Sequence, residues 1–542
     1  MKWEVLHNSK KAITDSDEII KLLLINRGLK TKKDIKDFLE PINPNDISLK
    51  QLGINIETVK KIINRLKIAK EKKERIIIFG DYDADGVCAT AILWETLFKK
   101  GYDALPYIPD RFEEGYGFKA KTIENPNFNS LKPNLIITVD NGIVAYKGIK
   151  KAKDLGIDVI VVDHHTVGDK KNEAFAVFHS TSVCGSALAW FLSRELGGND
   201  GLDLVALGTV ADQMTLLGIN RSLVKYGLHE LNKTKRVGLK ALIRSANILN
   251  VGVYEIGYIL APRINAMGRL SHALDSLRLI CTRDYKKAND LAKVLSDTNL
   301  ERQRVVDDAI TRALTQSKKQ ELENIIVLSG QYHEGIIGLA SGKITEKFYR
   351  PSIVISQGVE ISKASARSIA GFNIIEAIKK TGIILEGGGH PMAAGFSIET
   401  SRILEFSKKI NEISKEFLTE ELLQRKLRID MQLDFDCINQ KLVDDLKKFE
   451  PYGQGNYPAL FASRSVKIPS SKPVGAEEKH LKLKLTQGDK TLDAIWFNHD
   501  PNISISKSTA VDIVFSIEEN QWNNIKSIQL KIRDMKSSNQ SE

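Results

Sequence analysis

RIIIFGDYDADGVCATAILWETLFKKG (75–101) decides how this chain is read. Ile76, Ile77, Ile78 and Phe79 form an apolar run without alternation, the pattern of a strand buried on both faces. The run ends at Gly80, acids follow at Asp81, Asp83 and Asp85, and an apolar helical pattern then continues to a stop at Gly101. The same order recurs in NLIITVDNG (134–142), followed by the helical AYKGIKKAKDLG, and in IDVIVVDHH (157–165). Strands alternating with helices at this spacing predict a parallel, doubly wound sheet. Such sheets bind ligands outside the carboxyl ends of their strands. That geometry would gather Asp81, Asp83, Asp85, Asp140, Asp163, His164 and His165 into one crevice, and LVALGTVAD (204–212) adds Asp212 at the end of a helical stretch.

Upstream, residues 1–70 read as a lead-in of short amphipathic helices: SDEIIKLLLINRG, with Gly28 as its stop, then IETVKKIINRLKIAKEKK beyond Pro41 and Pro44. The first α/β domain is expected to span 71–283. Residues 284–320 lack Pro and Gly and predict a long, charged helical connector. A second α/β domain (321–429) runs from NIIVLSG (324–330) through PSIVIS (351–356) to a Gly-rich turn in LEGGGHPMAAGFSI (385–398). From 430 to 535 alternating strands such as HLKLKL (480–485) and TLDAIWF (491–497) predict a small all-β barrel or sandwich. The tail, 536–542, reads as disordered.

The chain has 542 residues, enough for three or four domains at about 150 residues each. With 42% hydrophobic and 27% charged residues it is not a mainly disordered chain. A net charge of +11 favours a polyanionic partner, although Lys-rich solvated faces account for part of it. Cys88, Cys184, Cys281 and Cys437 form no CxxC pair, which argues against a disulfide framework or a thiolate zinc site. No apolar run approaches the roughly 20 residues of a membrane span, and no apolar leader follows Met1, so a cytoplasmic protein without a membrane partner is expected.

Carboxylates crowded into one crevice repel one another and are pushed towards their protonated forms. Divalent cations remove the conflict, and mixed carboxylate and imidazole ligands suit Mn²⁺ or Mg²⁺. Two such ions about 3.5–4 Å apart stabilise the attacking and leaving oxygens of a phosphoryl displacement and acidify a bound water. Taken singly, each piece has a plainer reading: DxD as a cap, VDNG as a turn, His-His as a surface pair. Four pieces in order, all at predicted element ends, point to a metal centre.

DYDADG, VDNG, DHH and GTVAD resemble the successive motifs of the DHH phosphoesterase family. PRINAMGR (262–269), SARS (365–368), GGGHPMAAG (387–395) and FEPYGQGN (449–456) resemble the RecJ-type single-stranded-DNA exonucleases within it, and the likeness runs from about residue 20 to 535. One departure is Ala370, where that group has Pro. The resemblance implies a doubly wound DHH domain, a long helical connector, a second α/β DHH-associated domain and a C-terminal OB-like domain. It implies two divalent ions, Mn²⁺ or Mg²⁺, held by Asp83, Asp85, a bridging Asp140, His164 and Asp212. Asp81 would ligate or orient a water, His165 would face the scissile phosphate, and Asp163 would orient His164 or its loop.

The substrate side follows from the same resemblance. Ser365, Arg367, the backbone of Gly388 and Gly389, His390, and Arg263, Asn265 and Arg269 are expected to contact DNA, with Arg111 reaching the 5′ phosphate. An OB-fold would bind single strands by stacking, yet from Asp430 to Glu542 there are 15 basic and 16 acidic residues. Lys479, Lys482, Lys484 and Trp496 are the candidates there, Trp496 equally a core residue. The expected activity is removal of nucleotides from the 5′ end of single-stranded DNA, in repair and recombination, by a monomer working with a single-strand-binding protein and a helicase. The competing readings are a DHH-type phosphodiesterase or pyrophosphatase for small substrates, and a replication scaffold without catalysis. The filled ligand positions argue against the scaffold, and the extra domains against the small substrate.

Overall fold

In this computed structural model, residues 1–7, 15–317, 323–475, 478–499, 510–522 and 525–538 are described. The chain divides into two units: one formed by Met1–Asp46, Thr215–Lys225 and Lys426–Glu542, the other by Ile47–Met214 and Tyr226–Arg425.

The larger unit holds two sheets. In the first, five strands lie in the order Ala104–Tyr107, Ile76–Phe79, Leu135–Val139, Asp158–Asp163, Ala176–His179. Every pairing is parallel. The three central strands are apolar on both faces because helices cover them, and Ile76–Phe79 and Leu135–Val139 are buried at every position. Chain order reverses between Ile76–Phe79 and Leu135–Val139. This is the switch point at which doubly wound sheets open a crevice, and it lies where Asp81 and Asp140 leave their strands.

The connector forms one helix, Tyr285–Ser317, of 33 residues. Its first half buries Ala288, Ala292 and Leu295, and its second half buries Val306 and Ala309 in the cluster that contains Leu328 and Ile344 of the second lobe. The connector thus shares a core with that lobe. The second sheet runs Glu386–His390, Ala393–Glu399, Ile361–Arg367, Ser352–Ser356, Ile326–Gly330. The glycine run expected as a turn is instead the edge strand of this sheet, paired antiparallel with Ala393–Glu399. Three bare residues hold an extended edge because the partner strand supplies the hydrogen bonds.

In the smaller unit, Phe461–Val474, His480–Gln487, Lys490–Trp496, Ile525–Ser537 and Val511–Trp522 close into a barrel, since Val511–Trp522 also pairs with Phe461–Val474. Trp496 is 6% exposed and belongs to the barrel core. Lys536 and Ser537 end the last strand, against the expectation of disorder from 536, and 539–542 lie outside the described residues. The helical lead-in also needs correction. Lys2–His7 is a strand that adds parallel to Lys426–Gln432. KWEVLH alternates with a period of two, and Trp3 and Val5 pack on Ile429, Ala462 and Val514. Helices Ser16–Asn26 and Lys32–Leu39 belong to this unit, whereas Ile56–Glu71 belongs to the larger one.

FEPYGQGN serves the smaller unit as a carbonyl clamp. The buried Arg221 donates to the carbonyl oxygens of Phe38, Lys448, Phe449, Glu450 and Pro451, with its guanidinium 3.9 Å from the centre of the Phe38 ring. A buried guanidinium needs every N–H satisfied, and carbonyls do this without a counter-charge.

Candidate active site

Each strand end of the first sheet delivers its acids for a local reason. Asp83 caps the helix Ala84–Lys99 and accepts from Gly86 N at 2.9 Å. Asp81 accepts from Tyr82 N at 2.7 Å. Asp85 accepts from Gly185 N (2.7 Å) and Ser186 N (3.0 Å), the first amides of the helix Gly185–Glu195. That helix can approach because position 185 has no side chain: a Cβ there would sit 2.5 Å from Asp140. Asp140 takes a left-handed backbone, φ 60°, a conformation that Asp tolerates and that costs about 1–3 kcal/mol for a residue with a Cβ. Beside it Asn141 donates to the carbonyls of Phe79 and Val139 and so ties the two strands of the switch point together.

The side chains converge in three overlapping groups, each with ligand atoms within 4.8 Å of one another: Asp81, Asp83, Asp140; Asp140, His164, His165; and Asp85, His164, Asp212. His164 Nε2 stands 3.1 Å from Asp140 Oδ1 and 3.8 Å from Asp212 Oδ2. Among the described residues no Lys or Arg forms an ion pair with these acids. Burial and like charge therefore raise the proton affinity of Asp81, Asp83 and Asp140, and push Asp212 up to about 8. Burial lowers that of His164. Asp140 Oδ1 is buried with no hydrogen-bond donor aimed at it. An acceptor-only atom left orphaned beside a deprotonated imidazole is what a cation site looks like from the protein side, and hard oxygen donors with one nitrogen suit Mn²⁺ or Mg²⁺.

Of the two roles expected for Asp163, it fixes the loop but does not hold the His164 ring. Its side chain bonds the ring of His165, not that of His164: Oδ1 lies 2.7 Å from His165 Nδ1. It also accepts from the amides of Ile143, His164 and His165, which fixes the loop. With a carboxylate at Nδ1, the proton belongs on that nitrogen, and Nε2 faces outward to Tyr116 Oη at 3.2 Å. The bond from Asp163 raises the proton affinity of His165.

On the substrate side, Ser365 and Arg367 share one face of their strand, and Arg367 Nη1 lies 3.3 Å from Ser365 Oγ. Cross-strand register puts His390, Ala393 and Arg367 in one row, and Gly388, Gly395 and Ser365 in the next row of the same face. Gly389 belongs to the opposite face, where a Cβ would fall 2.3 Å from Ala393 O, so packing and its φ of 150° both require that glycine. Arg111 lies over the Tyr82 ring at 5.1 Å. Arg269 donates to Gly335 O at 3.3 Å, and Phe112 meets His333 edge-on at 5.5 Å, so the two lobes touch beside the acids. Arg263 Nη1 donates to Ile259 O at 2.8 Å and its Nε is buried without an acceptor. Asn265 Oδ1 accepts from Ala84 N at 2.7 Å and braces the Asp83 turn.

Two residues escaped the sequence reading. Tyr116 touches His165, and its signal was an aromatic between Gly115 and Gly117, both at positive φ. Arg302 lies on the connector with its Nε buried and unpartnered. Its signal was the absence of an acid three or four residues away on its helix, where Thr298, Asn299, Val305 and Val306 stand.

Family models match along the chain: the DHH family N-terminal domain over residues 75–209, the DHHA1 domain over 322–416 and the RecJ OB domain over 429–534. The single-stranded-DNA-specific exonuclease RecJ of Bacillus subtilis is 33% identical over 563 residues, covering 98% of this chain and 70% of that protein. The chain belongs to the RecJ family. The crystal structure of RecJ from Thermus thermophilus in complex with Mn²⁺ has a TM-score of 0.83 and 27% identity, covering 99% of this chain and 79% of that one. The Mg²⁺ complex from the same organism has a TM-score of 0.75 and 26% identity, covering 99% and 78%. The acids that lack a counter-charge here thus lie in a RecJ fold known with divalent ions, and the RecJ OB match falls on the barrel.

Proposed function

We propose that this chain is a metal-dependent exonuclease that shortens single-stranded DNA from its 5′ end. The observation that carries the reading is the buried cluster at the switch point, five acids and His164 with no ion-paired Lys or Arg among the described residues, in a chain of the RecJ family. Asp83, Asp85, Asp140, His164 and Asp212 would hold two divalent ions, with Asp140 and His164 common to neighbouring groups and Asp81 grouped with Asp83 and Asp140. When bound, the ions neutralise charge building on the phosphate and acidify a water. His165, fixed by Asp163, presents Nε2 to the scissile phosphate and, as the imidazolium that the Asp163 bond favours, donates to a phosphate oxygen. Arg111, Arg269 and Arg367, none of them in an ion pair among the described residues, supply donors to the strand.

The chain's own residues complete the site, which fits a monomer. No described helix is long and apolar enough to cross a membrane, and a DNA substrate suits a cytoplasmic protein. A helicase would open duplex to supply the substrate, and a single-strand-binding protein would share it. The test uses a 3′-labelled oligonucleotide with Mn²⁺ or Mg²⁺, duplex and RNA versions alongside and EDTA as the blank. A metal-dependent ladder shrinking from the 5′ end of single-stranded DNA supports the reading. Turnover of dinucleotides or pyrophosphate alone overturns it.

A further inference from the structure

Tyr254 and Tyr258 stand at helical spacing on the segment that leads into Arg263, 63% and 71% exposed. Their rings stack at 4.9 Å with 26° between planes. Two large aromatic faces turned to solvent are unusual on a protein surface and mark binding sites when they adjoin charge. Tyr258 lies in a single π-helical turn, Ile256–Leu260, a device that recurs at functional sites. Arg263 curls back on this turn, since its Nη1 bonds Ile259 O, the residue after Tyr258.

The same Arg263 lines a cavity of about 420 Å³ between the helix Val237–Ser245 and the connector. Arg244 and Lys293 line it too, against one acid, Asp297. Cations also lead from the acidic crevice towards it. Arg269 has Arg111 and Arg302 as electrostatic neighbours, and Arg302 has Arg263. None of Arg244, Arg263, Arg302 and Lys293 is in an ion pair among the described residues. A polyanion leaving the acids therefore meets positive charge as far as the two tyrosines.

We infer that Tyr254 and Tyr258, with the cavity of Arg244, Arg263 and Lys293, form a subsite that holds single-stranded DNA outside the catalytic crevice. The phosphate backbone lies over the cations and a base stacks on the tyrosine faces, a contact that tolerates any base. The inference rests on the exonuclease reading and extends it from the cleaved end to the body of the strand.

The test measures binding of a fluorescent, phosphorothioate-linked 20-mer to the full chain with Mn²⁺ present. Tyr254→Ala/Tyr258→Ala should weaken binding at least about fivefold, the lower end for loss of a stacked base. Tyr254→Phe/Tyr258→Phe should stay within about twofold, because stacking needs the ring and not the hydroxyl. Arg244→Ala/Lys293→Ala should flatten the salt dependence of log K by about 0.7 for each phosphate no longer neutralised. Wild-type affinity in the double alanine variant, with an unchanged salt slope in the charge variant, overturns the subsite alone. A wild-type protein that binds no single-stranded DNA overturns the exonuclease reading and the subsite together.

Discussion

The helix Ala84–Lys99 carries acids shielded from solvent, wholly or in part, near both ends and treats them in opposite ways. Near its start, Asp83 and Asp85 have only amide donors around them. Near its end, Glu95 is clasped by Arg236 through two bonds of 2.7 and 2.9 Å, and Arg236 also reaches Asp203, which accepts from Thr234. The helix dipole explains part of the difference, since it favours an anion at the first turn and opposes one at the last. The amides soften the charge of Asp83 and Asp85 without cancelling it. The Glu95 cluster is complete within the protein, whereas the Asp140 cluster is complete only with cations.

That contrast is most exposed by removing Asp140. Asp140→Asn should cost hydrolysis roughly a thousandfold or more, since metal charge supplies several kcal/mol at the transition state. It should leave the circular dichroism unchanged and the metal-free melting temperature equal or higher, because a repelling charge is gone. A lower melting temperature would place Asp140 with Glu95 as a structural acid. At the paired end Arg236→Ala should destabilise by about 3–5 kcal/mol, because it strands Glu95 and Asp203 without a cation. Denaturant unfolding checks this, and a loss below about 1 kcal/mol would break the comparison. Arg367→Ala should raise KM about tenfold for single-stranded DNA, as loss of a charged hydrogen bond does, with the unfolding midpoint little moved.

A pH series on the EDTA-treated protein sharpens the same difference. Asp212 has its proton affinity raised to about 8, by burial first and then by Asp85 and Asp83. Between the ordinary carboxylate range and pH 8 the native state then holds a proton that the unfolded chain has released. This contribution to stability is full below that range and is lost as pH rises through about 8. Melting temperature should therefore fall over this window without metal and flatten with Mn²⁺. An equal slope in both conditions would contradict the assignment.

The strand ends and the acids behind them were legible because apolar runs and turn residues are local signals. Asp81, Asp83, Asp140 and His164 needed no more than their place after a strand. What escaped depends on partners far away in the chain. Asp163 bonds His165 instead of His164 because of how the loop after the strand closes, which no spacing states. Asn265 caps a helix that begins at Ala84, across a separation no periodicity reports. KWEVLH was missed as a strand because its partner, Lys426–Gln432, lies more than 400 residues away. Three glycines form an edge strand only because Ala393–Glu399 pairs with them.

The crevice is expected to take its missing counter-charge from two divalent ions. Calorimetric titration of Mn²⁺ into EDTA-stripped, dialysed protein tests this most directly, with Asp140→Asn alongside. Two ions per wild-type chain, and weakened binding of both in the variant, are predicted from the overlap of the groups at Asp140. Binding of no ion, or two ions with unaltered affinity in Asp140→Asn, would contradict it.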